Sequence, residues 1–430
     1  MKMKDSGVEW IGEIPEDWTV QKVKHQFDRK KGKPETEDYE ILKLARSGIQ
    51  IRDISSGDGQ IAADYSGYNP VEPLDILINP MDLISGDNSN ISKVSGVISQ
   101  AYINLRFRSS INPHFYNYYF KLQYWLGAFF THGKGVSFDN RWTINDETLR
   151  NFPIIVPTLN EQNKIVEFLD SKLSLINQII ADTKRSIEEL KSYKQSLITE
   201  TVTKGLDPNV PMKDSGVEWI GEIPEKWKIG KLNYYVTVHG RIGYRGYTVD
   251  DIVGEREGAI SLSPSNISNM QVYDYKNTYI KWEKYKESPE IKVRENDLVY
   301  VKTGSGYGKA GIVKKLTEKA TINPQLVVLK PKSNNDSRFI NYLLNSFLGV
   351  LQSELIVGGS TMPTISQEKI LKMIFPIINY DEQIAIADFL DKKNLQIDTM
   401  LSAKNSMVDN YESYKKSLIY EYVTGKKQVN

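Results

Sequence analysis

Residues 3–18 read MKDSGVEWIGEIPEDW, and residues 212–227 read MKDSGVEWIGEIPEKW. Fifteen of the sixteen positions are identical, the exception being Asp17 against Lys226. We call each copy a tag. Chance does not produce such a match, so the chain carries an internal duplication. A period near 210 residues indicates duplicated domains, since solenoid repeats are only about 20–50 residues long.

A second repeat closes each half of the chain. Residues 161–203 begin EQNKIVEFLD, residues 382–424 begin EQIAIADFLD, and 17 of 43 aligned positions are identical without gaps. The blocks between tag and closing segment, about 19–158 and 228–378, share little identity, although both end in the letters FPII. The frame is therefore duplicated, whereas its two contents differ.

The closing segments show heptad spacing, with seam residues that alternate steps of four and three. In the first segment these residues are Leu169, Leu173, Ile176, Ile180, Thr183, Ile187, Leu190, Lys194 and Leu197. In the second they are Leu390, Asn394, Ile397, Leu401, Lys404, Val408, Tyr411, Lys415 and Leu418. The spacing predicts two helices of about 36 residues, roughly 54 Å long, that pack as a coiled coil. An amphipathic helix on an ordinary globular core is the alternative.

The variable blocks have the pattern of mixed α/β domains. Short strand candidates at 297–302 and 325–330 alternate with Gly, Asn and Pro clusters. Aromatic-rich helices are predicted at 113–128 and 337–351. The predicted fold class is α+β, with two α/β domains joined by two long antiparallel coiled-coil helices in a pseudo-two-fold internal duplication.

Helix stop signals divide the chain. Pro157 precedes the first long helix, and Gly205 and Pro208 come after it. The predicted segments are a first domain at 1–158, a first helix at 159–205, a linker with the second domain at 206–378 and a second helix at 379–430.

Composition excludes several kinds of chemistry. Lys plus Arg is 55 and Asp plus Glu is 54, so the chain is not a polycation that coats nucleic acid, although local basic faces remain open. With no cysteine there is no disulfide, thiolate zinc site or cysteine nucleophile. The four histidines are far apart in sequence, which argues against a His-based metal site. No apolar run reaches the ~18 residues of a membrane span, and we expect a soluble cytoplasmic protein.

Catalytic motifs are not evident. The run TGSGYGKAG at 303–311 is one residue short of a Walker A loop and has Ala310 in place of Ser or Thr. It fits a dinucleotide fingerprint, but residues 312–329 have the pattern of strands and not of a helix, so we predict a tight loop between strands. The adenine-methyltransferase motif Asn/Asp-Pro-Pro-Tyr/Phe is absent, the nearest sequence being NPMD at 79–82.

The two tags, the FPII…EQ…FLD closings, and the segments GRIGYRGYT at 240–248 and GGSTMPT at 358–364 resemble the DNA-specificity subunit of type I restriction–modification systems. The resemblance implies two target-recognition domains, each of which reads one half of a bipartite, asymmetric site in double-stranded DNA. It implies helical spacers that dock two methyltransferase subunits, and restriction subunits that join them. It also implies no catalysis by this chain, since S-adenosylmethionine, ATP and Mg are used by the partners.

Candidate DNA contacts are polar residues beside glycines in predicted loops, since affinity comes from cations on phosphates and specificity from side chains at base edges. In the first domain the candidates are Lys33, Arg46, Lys134, Asn140 and Arg141. In the second they are Arg241, Tyr244, Arg245, Ser305, Tyr307, Lys309, Ser360 and Thr361. Turn-forming glycines and solvated lysines are the alternative explanation for each.

Two other functions stay open at this point. A self-contained nuclease or methyltransferase lacks its signature motifs here. A two-headed non-enzymatic scaffold could bind RNA or protein through the variable blocks, although no RNP-type signature is present. The tag tryptophans, Trp10, Trp18, Trp219 and Trp227, are interpreted as core or subunit-docking residues and not as base-stacking platforms.

Overall fold

The structure is a computed structural model that describes residues 2–34, 38–45, 47–53, 64–83, 89–108, 110–135, 142–275, 277–359 and 362–429. Its packing divides the chain into two units, Met1–Lys184 with Ser406–Asn430, and Arg185–Asn405. Each unit therefore contains one tag, one variable block and part of each long helix.

The first unit begins the chain. Its strands are β1 (Met3–Asp5), β2 (Glu13–Pro15), β3 (Thr19–Lys22), β4 (Phe27–Lys30), β5 (Leu42–Ala45), β6 (Gly48–Ile51), β7 (Asn69–Val71), β8 (Ile76–Ile78), β9 (Ser89–Ile91), β10 (Gly96–Ile98), β11 (Ile103–Phe107) and β12 (Pro153–Val156). Its helices are α1 (Val23–Gln26), α2 (Pro113–Trp125), α3 (Ala128–His132), α4 (Asp146–Asn151) and the start of α5 (Leu159–Lys204).

The tag of the first unit forms the antiparallel hairpin β1–β2, and β3 pairs with β12. An antiparallel sheet has the order β4-β11-β8-β9 among the described residues. Helix α2 begins at Pro113 because Asn112 caps it and accepts from the backbone N–H of His114. Its aromatic side chains, with Phe115 and Phe120 fully buried, form the centre of the core beside this sheet.

The second unit repeats this order with additional strands. The strands are β13 (Met212–Asp214), β14 (Glu222–Pro224), β15 (Lys228–Lys231), β16 (Val236–Gly240), β17 (Ile252–Val253), β18 (Ala259–Leu262), β19 (Ile267–Ser268), β20 (Gln271–Val272), β21 (Thr278–Ile280), β22 (Leu298–Val301), β23 (Ala310–Ile312), β24 (Ala320–Ile322), β25 (Leu326–Pro331) and β26 (Ile374–Ile377). The helices are α6 (Trp282–Glu287), α7 (Ser337–Asn345), α8 (Phe347–Ile356), α9 (Gln367–Leu371) and α10 (Tyr380–Val423).

The second tag forms the hairpin β13–β14, and β15 pairs with β26 as β3 does with β12. Among the described residues, one sheet has the order β16-β25-β22-β23-β20-β19 and another the order β17-β21-β18-β24. Leu298 and Val327 are fully buried on the larger sheet, which packs against α7. The predicted helix 337–351 is in fact two helices, because Ser346 ends α7 and caps α8.

The long helices are antiparallel within each unit. In the first unit the Phe168 ring centre lies 4.4 Å from that of Tyr422, and Thr183 Oγ1 lies 3.9 Å from Met407 Sδ. In the second unit Lys194 pairs with Asp398 at 2.7 Å, and a Cβ on Gly205 would lie 4.0 Å from Glu382 Oε1. Residue numbers thus rise along α5 as they fall along α10.

The heptad prediction is confirmed at the level of burial. Every predicted seam residue is buried or half-buried, while the positions between them are mostly exposed. The predicted length of about 36 residues was too short, because α5 has 46 residues and α10 has 44. The EQ segment is itself helical, and at the start of α5 Thr158 and Glu161 bond each other as a capping pair.

The predicted fold class is confirmed, with mixed α/β blocks and paired long helices on a duplicated frame. The strand predictions at 297–302 and 325–330 correspond to β22 and β25. The run 303–311 joins β22 to β23, so it is the predicted loop between strands. No helix in the described part of the chain combines the length and apolar character of a membrane span.

Candidate DNA-binding surface

Each tag is tied to the start of a long helix by one tryptophan. The Trp18 indole N–H donates to Glu161 Oε1 at 3.1 Å, and the Trp227 indole N–H donates to Glu382 Oε1 at 2.9 Å. Both indoles are buried, with exposed fractions of 2% and 3%. These two residues are therefore core residues, as their repeated positions in the sequence predict.

The glutamine and the aspartate of the EQ…FLD motif form hydrogen bonds with the aromatic-rich helix of each unit. Gln162 Oε1 accepts from the backbone N–H of Asn112 at 2.8 Å, and Gln383 Oε1 accepts from that of Asp336 at 2.9 Å. The aspartate of each motif also binds this helix, because it accepts a hydrogen bond from a tyrosine hydroxyl. Tyr118 donates to Asp170 at 2.5 Å, and Tyr342 donates to Asp391 at 2.6 Å. The motif thus sets how each variable block sits on the helix of its own unit.

The strand register of the larger sheet brings several loops of the second unit to one edge. Gly240, the end of β16, pairs with Val327, and Val301, the end of β22, pairs with Leu326. Loops 241–247, 302–309 and 323–325 consequently leave the sheet together. The described residues of a fourth segment, 358–359 and 362–365, join them because the N–H of Ile365 donates to the carbonyl of Lys302 at 2.8 Å. We call these four segments the second loop edge.

Backbone contacts hold the glycine-rich loop against its neighbour. The N–H of Gly304 donates to the Pro363 carbonyl at 3.0 Å, and Thr303 forms a bridge with Thr364. Gly304 has φ of 96° and Gly308 has φ of 87°, so both positions favour glycine. The loop therefore has a defined shape while its tip faces solvent.

The candidate residues of the second unit differ in their exposure. Ser305 and Lys309 are exposed and Tyr307 is half-buried at this edge. Arg245 is near Glu290, at 3.6 Å, and its side chain is 30% exposed. The structure leaves the Tyr244 side chain and residues Ser360 and Thr361 outside its described part.

Arg241 is placed differently from the other candidates. It is 7% exposed, and its guanidinium donates to the Ile322 carbonyl at 3.0 Å while lying 5.3 Å from the Tyr247 ring centre. Burial lowers the pKa of this guanidinium from its ordinary value. In this conformation Arg241 holds the 241–247 loop, since its guanidinium also donates to the Arg245 carbonyl at 3.3 Å.

The first unit has a comparable edge. The end of β4 at Lys30 pairs with Asn104, and the end of β8 at Ile78 pairs with Ile103. Lys33 is exposed just beyond β4. We call the described residues 31–34 and 79–83, with the neighbouring residues 134–135 and 142–144, the first loop edge.

That neighbouring segment carries Lys134. It is exposed and pairs through its backbone with Thr143, and the N–H of Ile144 donates to the Pro80 carbonyl at 3.0 Å. This arrangement matches the one that joins Gly358, Thr364 and Ile365 to the second edge. Arg46, Asn140 and Arg141 lie outside the described residues.

Residues 22–33 contain six lysines and arginines, and several of these form contacts within the protein. Arg29 lies 3.5 Å from Asp146, and burial lowers its pKa. Lys31 reaches the same carboxylate at 2.9 Å, and Lys24 donates to Asn151 at 2.9 Å. These cations stabilise the attachment of α4, so Lys33 is the better candidate for a phosphate.

Sequence reasoning missed polar residues that the register adds to the second edge. Lys302 and Gln325 are half-buried there, and Asn323 Nδ2 donates to Gln325 Oε1 at 3.2 Å. They occupy strand ends that lie far apart in sequence, so only the pairing of β22 with β25 reveals them. Among the described residues no group of three or more His, Asp or Glu side chains has the geometry to hold a metal ion.

The repeated frame, with one loop edge in each unit, defines a protein of α+β fold with two related domains. The family model for the type I restriction modification DNA specificity domain matches residues 83–189 and 247–406. These ranges cover more than half of the chain. The chain therefore belongs to the family of type I restriction–modification DNA specificity proteins.

Curated relatives agree with this assignment. The chain is 24% identical over 391 residues to the type I restriction enzyme MjaVIII specificity subunit of Methanocaldococcus jannaschii, covering 88% of this chain and 86% of that protein. It is 23% identical over 356 residues to the EcoBI specificity subunit of Escherichia coli, covering 79% and 71%.

Solved structures share the fold. A chain from a study of complex assembly and conformational transition in a type I R-M system superposes with a TM-score of 0.74 at 14% identity, covering 96% of this chain and 99% of that chain. The HsdS subunit of Thermoanaerobacter tengcongensis gives a TM-score of 0.53 at 13% identity, covering 96% and 98%.

Proposed function

We propose that the chain reads a bipartite, asymmetric site in double-stranded DNA, with one half-site for each recognition domain. The observation that carries the proposal is the pair of loop edges, which differ in sequence but are mounted on the same tag-and-helix frame. Two loop edges with different sequences, each held by the same frame, are suited to reading two different half-sites. Cytoplasmic DNA is then the place of action.

The duplicated frame indicates the partners. Two copies of one supporting structure offer two equivalent surfaces, which suits two methyltransferase subunits, with restriction subunits joining the assembly. The chain itself supplies recognition and no chemistry in this proposal. The partners would bring S-adenosylmethionine, ATP and Mg.

The near-neutral net charge of +1 bears on affinity. The 55 Lys and Arg residues are almost balanced by 54 Asp and Glu residues, so the net attraction to phosphates is small. The isolated chain should therefore bind duplex DNA weakly, and its partners should supply much of the phosphate contact. A strong, salt-insensitive affinity for any duplex would contradict this proposal.

The deciding experiment combines the chain with its methyltransferase partner in a host that lacks adenine methylation, and maps N6-methyladenine across the genome. One motif of two short blocks around a non-specific gap is expected. Methylation by the chain without the partner would show instead that it is a catalyst.

The alternative of an RNA- or protein-binding scaffold is tested in parallel. Duplex DNA carrying the mapped motif should compete for the assembled complex, while single-stranded RNA of the same sequence should not. The opposite order of competition, with no methylation motif, would favour the scaffold.

A further inference from the structure

A hairpin of the larger sheet reaches both long helices of the second unit. Strands β19 and β20 are joined by Asn269 and Met270. Asn269 contacts Lys194 on α5 and Asp398 on α10. We call these three residues, Lys194, Asn269 and Asp398, the latch.

The latch is a closed ring of side-chain bonds. Lys194 Nζ donates to Asp398 Oδ1 at 2.7 Å and to Asn269 Oδ1 at 3.3 Å, and Asn269 Nδ2 donates to Asp398 Oδ2 at 3.2 Å. Each member therefore bonds the other two, although they come from three different elements. The Lys194 side chain is 12% exposed, whereas that of Asp398 is 33% exposed and Asn269 lies on the surface.

The turn that supplies Asn269 has a strained backbone. Asn269 has φ of 46° and Met270 has φ of 58°, the left-handed region that most side chains avoid. A turn with two positive φ values is usually Asn-Gly, and methionine is unfavourable at the second position. The Met270 carbonyl accepts from Asn341 Nδ2 on α7 at 2.8 Å. Contacts with three helices thus keep this turn in a conformation that its own sequence does not favour.

The duplicated frame does not repeat the latch. The offset between the closing segments is 221 residues, from Glu161 to Glu382. Lys194 then corresponds to Lys415, which pairs with Glu412 of its own helix at 3.2 Å. Asp398 corresponds to Asn177, which has no carboxylate. The latch is therefore specific to the second recognition domain.

We propose that the latch sets the orientation of the second recognition domain on its helices, and with it the number of base pairs between the two half-sites. This inference rests on the proposed function. The latch hairpin belongs to the sheet that carries the second loop edge, so a rotation at the latch moves the loops. One base pair corresponds to about 3.4 Å along the duplex, so a movement of a few ångströms at the loops changes the permitted gap.

The test uses Asn269→Gly and Asp398→Asn in the full chain, assembled with the methyltransferase partner. Glycine accepts the positive φ at position 269, so this variant loses both bonds of the hairpin to the helices without adding backbone strain, while the Lys194–Asp398 bond between the helices remains. Both variants should methylate the parent half-sites. Sites whose gap is one base pair longer or shorter should rise at least tenfold above their methylation by the parent.

The control is Lys415→Met, which removes an ion pair at the corresponding position of the first unit. It should keep the gap of the parent. If Asn269→Gly and Asp398→Asn fold, as shown by circular dichroism melting, and still methylate one gap length, the latch does not position the domain. If the parent itself yields no bipartite motif, the proposed function fails instead.

Discussion

Trp227 links the second tag both to the core of its unit and to the start of a long helix. Its indole ring fills the core of the second unit, and its N–H reaches the carboxylate of Glu382 at the start of α10. The same tag contains Trp219, which is 38% exposed. Two tryptophans eight residues apart in sequence therefore have different roles.

Substitution of Trp227 by Phe should separate these roles. The change removes the donor to a carboxylate and part of the buried ring, so the free energy of unfolding should fall by about 2 kcal/mol. Urea denaturation followed by circular dichroism measures the loss. Trp219→Phe is the matched control and should stay within about 0.5 kcal/mol of the parent; equal losses in the two variants would refute the assignment.

Lys309 is the exposed cation of the glycine-rich loop. Lys309→Ala should weaken duplex binding by the assembled complex and reduce the slope of log affinity against log salt by about 0.9, the value for one phosphate contact. Titrations at several salt concentrations measure both. Lys228→Ala, which removes an exposed lysine of the frame strand β15, should change neither. An unchanged slope for Lys309→Ala would exclude a phosphate contact there.

Because several tyrosines are buried, we expect the free energy of unfolding to fall at high pH. Burial raises the pKa of Tyr300 to about 12, and it raises the pKa values of Tyr119 and Tyr235 as well. Below the ordinary value of 10, these phenols are neutral in both folded and unfolded chains, so their contribution to stability is complete. Between pH 10 and 12 the unfolded chain ionises first, and stability falls by up to about 1.4 kcal/mol per pH unit for each such phenol. Urea denaturation from pH 8 to 11 should show a plateau and then a decline.

At the scale of elements, the two long helices differ at one buried seam position. Asn394 is 5% exposed, and neither its Oδ1 nor its Nδ2 atom makes a hydrogen bond among the described residues, since the hydroxyl of Tyr342 donates to Asp391 instead. The corresponding position of the first closing segment is Leu173, which is also buried. A polar seam position of this kind lowers stability and favours one register.

Exchange of these seam residues gives a paired prediction. Asn394→Leu removes an unpaired buried amide and should raise the free energy of unfolding by about 1–3 kcal/mol. Leu173→Asn should lower it by about 3 kcal/mol, since an apolar side chain is lost and an amide is buried. Urea denaturation of the full chain compares the two. Changes of the same sign would show that the seam environments are not as the structure describes.

At the scale of the whole molecule, the frame and its contents are separable. The residues that attach each block to its helix are duplicated, namely the tag tryptophan and the Glu, Gln and Asp of the closing motif. The loop edges are built from residues that differ between the blocks. If the loop edges bind the half-sites as proposed, we expect a change of specificity to require no change in the frame.

Replacement of residues 228–378 by the corresponding block of another specificity chain should alter one half-site and leave the other intact. The FPII ending and the second tag provide matching junctions, so the chimera should fold on the same frame. Adenine methylation mapping checks the result. Alteration of both half-sites would show that the two blocks do not read independently.

Sequence patterns determined much of this protein because they are local or repeated. The heptad positions predicted both long helices, and the duplicated tags predicted two domains on one frame. The helices are longer than the predicted length of about 36 residues because the heptad seam begins at Leu169 and Leu390, ten residues after α5 starts at Leu159 and α10 starts at Tyr380. Strands of two or three residues, such as β19 and β20, are too short to show an alternating pattern that would predict them from the sequence.

The candidate DNA-binding surface can be recognised only from the tertiary structure. Arg241 and Lys309 both have the composition of ligand-binding residues, but packing buries the first against Ile322 and exposes the second. Lys194 is an ordinary seam lysine in the sequence, and its bond to Asn269 exists because the sheet brings a distant hairpin to the helix. Periodicity determines which face of a helix is apolar, whereas the partner of a polar side chain depends on residues that are distant in the chain and meet only after folding.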